Sequence, residues 1–194
     1  MNTYYQGFIE SFPPSDNLKK PTEETIRKYE GLLPNDLLDL WKDYGFGNYG
    51  DGLIKVINPS DYEEVAGINN AVDLPLFADS FGDIFIYRNI PEQNVKAVGI
   101  LNVHYRNREF FIVDENCIEQ FVGGIDPSMP ILRSALFKEA VAKCGELEAD
   151  EIFFFVPALA LGGSEEIKCV EKGNAFVHYE ILAQMLGAEF RAQY

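Results

Sequence analysis

The sequence predicts an α+β fold: a mainly antiparallel sheet with helices packed around it in a single compact body. Three observations predict it. Helical-period segments and hairpin segments follow one another in mixed order, without the regular βα alternation of a parallel sheet. Neighbouring strand segments are joined by short turns of the kind hairpins use. The 194 residues are 47% hydrophobic, with 15 Phe and 10 Tyr, which is enough for a sizeable core. No internal repeat, low-complexity tract or Pro/Ser-rich linker divides the chain.

Taken in order, Lys20–Gly31 opens a helix: Thr22 is placed to cap it, and Glu23 and Glu24 lie at the positive end of its dipole. Leu33–Gly45 predicts a second helix, led by Pro34 and Asp36, with Leu37, Leu40, Trp41 and Tyr44 on one apolar stripe. Gly45 suits its stop. Leu53–Ile57 is a strand, and Asn58-Pro59 starts a short helix reaching Val65. Leu74–Ala78 and Asp83–Arg88 are strands around a turn at Ser80–Gly82. Val95–His104 and Glu109–Asp114 form a hairpin, with its turn at Tyr105–Arg108. A short helix from Asn116 closes at Gly123-Gly124. Beyond Asp126, Ser128 and Pro130 open a helix that Gly145 ends, Ile152–Val156 is a buried strand stopped by Pro157, Glu166–Val170 is a further strand, and a helix within Val177–Gly187 closes the chain. The organisation is therefore residues 1–125 and residues 126–194, packed as one unit.

Gly45-Phe46-Gly47-Asn48-Tyr49-Gly50 spells G-x-G-x-x-G, the string of a dinucleotide-binding loop. That loop needs a strand before it and a helix after it, so that the helix N-terminus can hold the pyrophosphate. Here the order is helix, then strand. The glycines are read as a helix stop and a tight turn, with Phe46 and Tyr49 as packing anchors.

Thirty-one acidic residues against 16 basic ones give a formal net charge of −15. The excess is spread: residues 1–125 hold 20 acidic and 10 basic residues, and residues 126–194 hold 11 and 6. Such a chain repels nucleic acid and anionic lipid and attracts basic protein surfaces. The N-terminus lacks the basic and apolar segments of a signal peptide, and no apolar run is long enough to span a bilayer. Cys117, Cys144 and Cys169 have neither zinc-ligand nor disulfide spacing and read as free thiols in a reducing cytoplasm.

No catalytic constellation stands out. His104 and His178 lie outside any metal-binding spacing and read as packing or surface histidines, with His178 at a strand or a strand–helix junction. There is no G-x-S-x-G elbow, Cys144 is a packed thiol at a helix end, and no calcium-loop spacing occurs. Asp36, Asp39 and Asp43 lie at helical spacing and read as a solvated face. Neither cofactor nor metal is expected. The candidate partner-binding residues are acidic: Glu146, Glu148, Asp150 and Glu151 in one stretch, Glu165 and Glu166 in another. The two groups merge if the Gly162-Gly163 loop folds near the Gly145 helix end. Ordinary solvent-facing loops are the competing reading of both. A scaffold or regulatory module binding some other protein is a second reading. A small-molecule enzyme with a pocket lined by Trp41, Tyr44, Phe46 and Tyr49 is a third.

Two stretches carry more than composition does. Leu33–Tyr62 resembles the N-terminal region of GAD-like domain proteins, in which a proline-led helix with a central Trp runs into a glycine-rich turn, a strand and an Asn-Pro helix start. Phe153–Gly187 resembles the C-terminal region of bacterial type VI secretion immunity proteins that protect against a DNase effector. The first stretch is also distantly similar to the SUKH immunity superfamily. The resemblance implies a non-enzymatic cytoplasmic protein that binds and silences a toxin, with α+β architecture and no catalytic residue to carry over. Charge sign alone favours a nuclease, with its basic surface, as the toxin.

Overall fold

The structure is a computed structural model and describes residues 4–187 and 189–192. Six helices and nine strands are present among them: α1 Tyr4–Ser11, α2 Glu23–Tyr29, α3 Asn35–Asp43, β1 Gly47–Tyr49, β2 Ile54–Val56, β3 Asp73–Asp79, β4 Ile84–Ile90, β5 Val95–Asn102, β6 Asn107–Val113, α4 Cys117–Gly124, α5 Ser134–Cys144, β7 Glu151–Phe155, β8 Val170–Asn174, α6 Ala175–Leu186 and β9 Arg191–Ala192. Strands β1 to β6 form an antiparallel meander in chain order, and β9 adds to β6 in parallel. Strands β7 and β8 form a separate antiparallel ribbon. The α+β fold with a mainly antiparallel sheet is what the sequence predicts. No helix among the described residues is long and apolar enough to cross a membrane.

Side chains alternate across a strand, so each strand can feed two cores. In β4, Phe85 and Tyr87 face one way, and Ile84 and Ile86 the other. The first face receives α1 and α4: Phe8 lies 5.6 Å from Phe77, and Phe121 lies 5.5 Å from Phe77 and 5.0 Å from Phe85. The second face receives α6 and β7, with Ile152, Tyr179 and Leu182 packed in one cluster with Ala78, Ile84 and Leu101. With both faces covered, the central strands lose the polar alternation of a half-exposed sheet, and Ile84–Tyr87 is one buried apolar run.

Most predicted elements appear close to their expected positions, including the Thr22 cap, whose side chain accepts from the Thr25 N–H. Several differ, each for a local reason. Ser128 starts no helix: its N–H turns back to the Asp126 carboxylate at 2.8 Å, and Arg133 takes a left-handed conformation (φ 49°), so α5 begins only at Ser134. The strand expected at Glu166–Val170 lies four residues later. Ile167–Cys169 instead forms a 3-10 turn whose Ile167 and Lys168 carbonyls, with that of Val170, are gathered by the Lys143 ammonium. The helix expected from Asn58 to Val65 is a single 3-10 turn, Pro59–Tyr62. His178 belongs to α6, whose cap is the Asn174 side chain. Helix α1 has no acidic first turn to advertise it and is held by burial of Phe8 and Phe12.

The glycine run behaves as a helix stop and a turn. Gly45 has φ +115°, and a Cβ there would lie 2.7 Å from the Lys19 carbonyl. Gly47–Tyr49 then forms β1 and pairs with β2. Tyr49 is fully buried, and its hydroxyl donates to the Gly45 carbonyl at 2.7 Å.

Candidate partner-binding surface

The two parts of the chain meet through buried polar contacts. Asp79 and Asp83, at the β3–β4 turn, are fully buried and share the guanidinium of Arg133 at 3.3 and 3.0 Å. Asp79 also accepts the Phe81 and Asp83 N–H groups, and Asp83 accepts from Val103 N–H and the Asn102 amide. Burial, and then the Asp83 carboxylate, push Asp79 up to about 8. Two buried carboxylates facing one arginine favour keeping a proton in the cluster. Lys55, 2% exposed, donates to the Asn48 side chain and to the carbonyls of Glu148 and Ala149, so it pins the stretch before β7 to the β1–β2 hairpin. Burial pulls Lys55 down to about 8, against the opposing pull of Asp150, Glu151 and Glu148.

The acidic candidates divide into two places. Glu148, Asp150 and Glu151 surround Lys55, and Glu151 pairs with Lys172 at 2.9 Å. Glu146 follows the Gly145 cap of α5, and its carbonyl accepts from Lys172. Glu165 instead pairs with Arg133, at the opposite end of α5, and accepts from the Tyr105 hydroxyl. Glu166 pairs with Lys168 at 2.7 Å. Glu166 also precedes the turn whose Ile167 and Lys168 carbonyls accept from Lys143, in the last turn of α5 before Gly145. The Glu165-Glu166 pair is therefore held from both ends of α5, by Arg133 at one and beside Lys143 at the other.

A different feature dominates the surface of the C-terminal part. Among the described residues, six of the ten exposed large apolar side chains fall between Val156 and Met185. Five of them border a groove of about 460 Å³ between α6 and the segment after β7. Val156 and Leu161 form one wall; Val177, Ile181 and Met185, at successive helical turns, form the other. The floor is a stack of Phe154 on the His178 ring, with centroids 4.4 Å apart. Burial, and then nearby His104, push His178 down to about 4, so the floor is uncharged at neutral pH. The His178 Nε2 has no hydrogen-bond partner within the described chain. The sequence reading missed this groove because it took the last helix as an ordinary closing helix. The signal was there: α6 is apolar on more than one stripe.

The aromatic residues of the enzyme reading divide: Trp41 and Tyr49 close into the core, Tyr44 is half-buried, and Phe46 borders a cavity of about 460 Å³ with Lys55, Tyr62 and Asp150. Trp41 and Tyr49 are fully buried, with Trp41 packed edge-on to Phe46 at 5.0 Å and to Tyr29 at 5.6 Å. His104 is a buried packing histidine bonded to the Phe81 carbonyl at 2.7 Å. No group of three or more His, Cys, Asp or Glu that could hold a metal ion occurs among the described residues.

Comparison with known proteins places these features. Residues 130–186 match the family described as T6SS immunity protein Tdi1, C-terminal. That segment holds the whole groove. The crystal structure of Atu4351 from Agrobacterium tumefaciens is similar over 93% of this chain and 88% of that one, with a TM-score of 0.76 at 19% identity, which establishes a shared fold. No curated protein matches the sequence. Residues 3–99 match the GAD-like domain over half of the 194 residues, and the chain belongs to the GAD-like domain family.

Proposed function

We propose that this chain is an immunity protein of a type VI secretion system, which binds a cognate effector and silences it in the cytoplasm without catalysis of its own. The observation that carries the reading is the match of residues 130–186 to the Tdi1 C-terminal family. That segment is also where the fold leaves apolar side chains uncovered. The charge supports a basic partner: a chain of −15 meets a cationic surface with faster association and a more stable encounter. A nuclease is the effector class this favours, because a nuclease cleft holds phosphate with Lys and Arg that carboxylates can occupy instead. Glu146, Glu148, Asp150 and Glu151 on one side, and Glu165 and Glu166 on the other, are the acidic residues assigned to that role. The three cysteines are free, in keeping with a reducing compartment.

Co-expression tests this reading. The effector encoded beside this chain's gene should arrest growth alone, and the chain should restore growth and co-purify with it in a 1:1 complex. Growth arrest that persists, with no complex by sedimentation, would sink the immunity function.

A further inference from the structure

A helix that covers a sheet needs one apolar stripe; its outer face is normally polar. Helix α6 buries Ala175, His178, Tyr179 and Leu182 against the body, yet its outer face carries Val177, Ile181 and Met185 at 56%, 45% and 57% exposure. Across the groove, Val156 and Leu161 are about half exposed as well. Contiguous apolar surface of this kind marks a binding site, because leaving it in water is unfavourable.

The electrostatics select the occupant. Among the described residues no Lys or Arg lines the groove, and none occurs in α6. Glu171, the register partner of Phe154, faces the same side of the ribbon and is paired with Lys143 at 3.6 Å. Glu180, exposed, lies one turn beyond Val177 and borders the outer face of the helix. The α6 rim is thus acidic beside an uncharged floor. A second copy of this chain would bring another acidic rim and another −15 against it, and like charges brought together oppose association. A segment with apolar side chains and basic flanks satisfies both the floor and the rim. We propose that the α6–β7 groove is the seat of such a segment of the effector: aliphatic or aromatic side chains enter between Ile181 and Val156, and a flanking Lys or Arg meets Glu180. This rests on the immunity reading, and it moves the main anchoring surface from the acidic stretches to the groove. The acidic residues then steer the encounter, and the apolar contacts hold the complex.

The test uses the full chain and the effector encoded beside its gene. Ile181→Gln with Met185→Gln keeps good helix formers at exposed positions, so the fold should survive. Circular dichroism and a thermal melt matching the unmutated chain verify that. Binding is then read by surface plasmon resonance, with growth protection in parallel. The expected result is a dissociation rate raised at least about 100-fold, an association rate changed by less than about threefold, and protection lost. Unchanged affinity of the double variant, while the unmutated chain binds and protects, overturns the groove and leaves the immunity reading standing. An unmutated chain that neither binds nor protects overturns both. A double variant that only abolishes self-association in sedimentation, with effector affinity intact, makes the groove a contact between copies and also overturns the proposal. Val177→Glu, on the same wall, should reproduce the loss.

Discussion

Helices α3 and α6 both pack one face onto the body of the molecule, and their outer faces have opposite character. In α3, Leu37, Leu38, Leu40 and Trp41 are buried, while Asn35, Lys42 and Asp43 face water and Asp39 pairs with Lys42 at 3.0 Å. In α6 the buried set is again four residues, but the outer set is Phe176, Val177, Ile181 and Met185. Phe176 is partly accounted for by Tyr62, 5.0 Å away. The other three have only the groove. The fold of this chain fully explains α3. It explains half of α6, and the other half is what the proposed partner would cover. The GAD-like part covers the apolar face of α3, whereas the Tdi1-like part leaves the outer apolar face of α6 open.

That contrast is sharpened most strongly at the joint between the two parts. Arg133→Met removes the one cation paired with buried Asp79 and Asp83 among the described residues and leaves their charge uncompensated. Breaking a buried pair in this way costs about 3–5 kcal/mol. Urea unfolding should show a loss of that order in a single transition. Two separate transitions would mean that the two parts unfold independently and that the polar joint does not bind them. A loss below about 1 kcal/mol would mean that the cluster is not needed for stability.

A smaller effect separates the parts by pH. His178 is depressed to about 4, below its ordinary 6.5, by burial and then by His104. The unfolded chain takes up this proton near 6.5 and the folded chain resists it, so the group's stabilising share is present above 6.5 and lost as pH falls toward 4. The upper bound is about 3.5 kcal/mol at ~1.4 kcal/mol per unit, reduced by solvent reaching the ring. Asp79 has the opposite sign. Its pKa is raised from 3.8 to about 8 by burial and Asp83, so its share is present below 3.8 and lost as pH rises through 8. Stability measured by urea unfolding between pH 4 and 7 should therefore fall less steeply toward acid in His178→Gln than in the unmutated chain. Parallel pH profiles would show that the Phe154–His178 floor tolerates a charged ring.

What could be read in the sequence follows the same division. Elements with a local cause were legible: the Thr22 cap, the α3 stripe, the β5–β6 hairpin and the glycine stop at Gly45 all depend on neighbours a few residues away. Elements fixed by distant partners were not. The start of α5 depends on Arg133 reaching back to Asp79 and Asp83. The position of β8 depends on its pairing with β7 and on Lys143. The buried role of Lys55 depends on carbonyls more than 90 residues away. The acidic stretches were visible as composition, yet composition could not show that Glu165 is tied to Arg133 and Glu151 to Lys172. The groove needed the observation that α6 keeps apolar residues on a face that nothing among the described residues covers.

The smallest effect on the isolated protein discriminates most between the two surfaces. Glu146→Lys, Glu148→Lys and Glu166→Lys together change three residues, each by two charges, and take the net charge from −15 to −9. Glu165 is left intact because it contacts Arg133, so changing it would disturb the joint as well as the surface. Exposed charges contribute little to folding, and the thermal melt should be unchanged. Against the effector, steering should weaken: association slower by about tenfold at low salt, and a shallower dependence on ionic strength. Dissociation should hardly move, because held contacts set it. The groove variant predicts the reverse pattern, fast association with fast dissociation. If the charge variant instead dissociates rapidly, the acidic stretches are themselves the anchor, and the contrast drawn from α3 and α6 assigns the contact to the wrong surface.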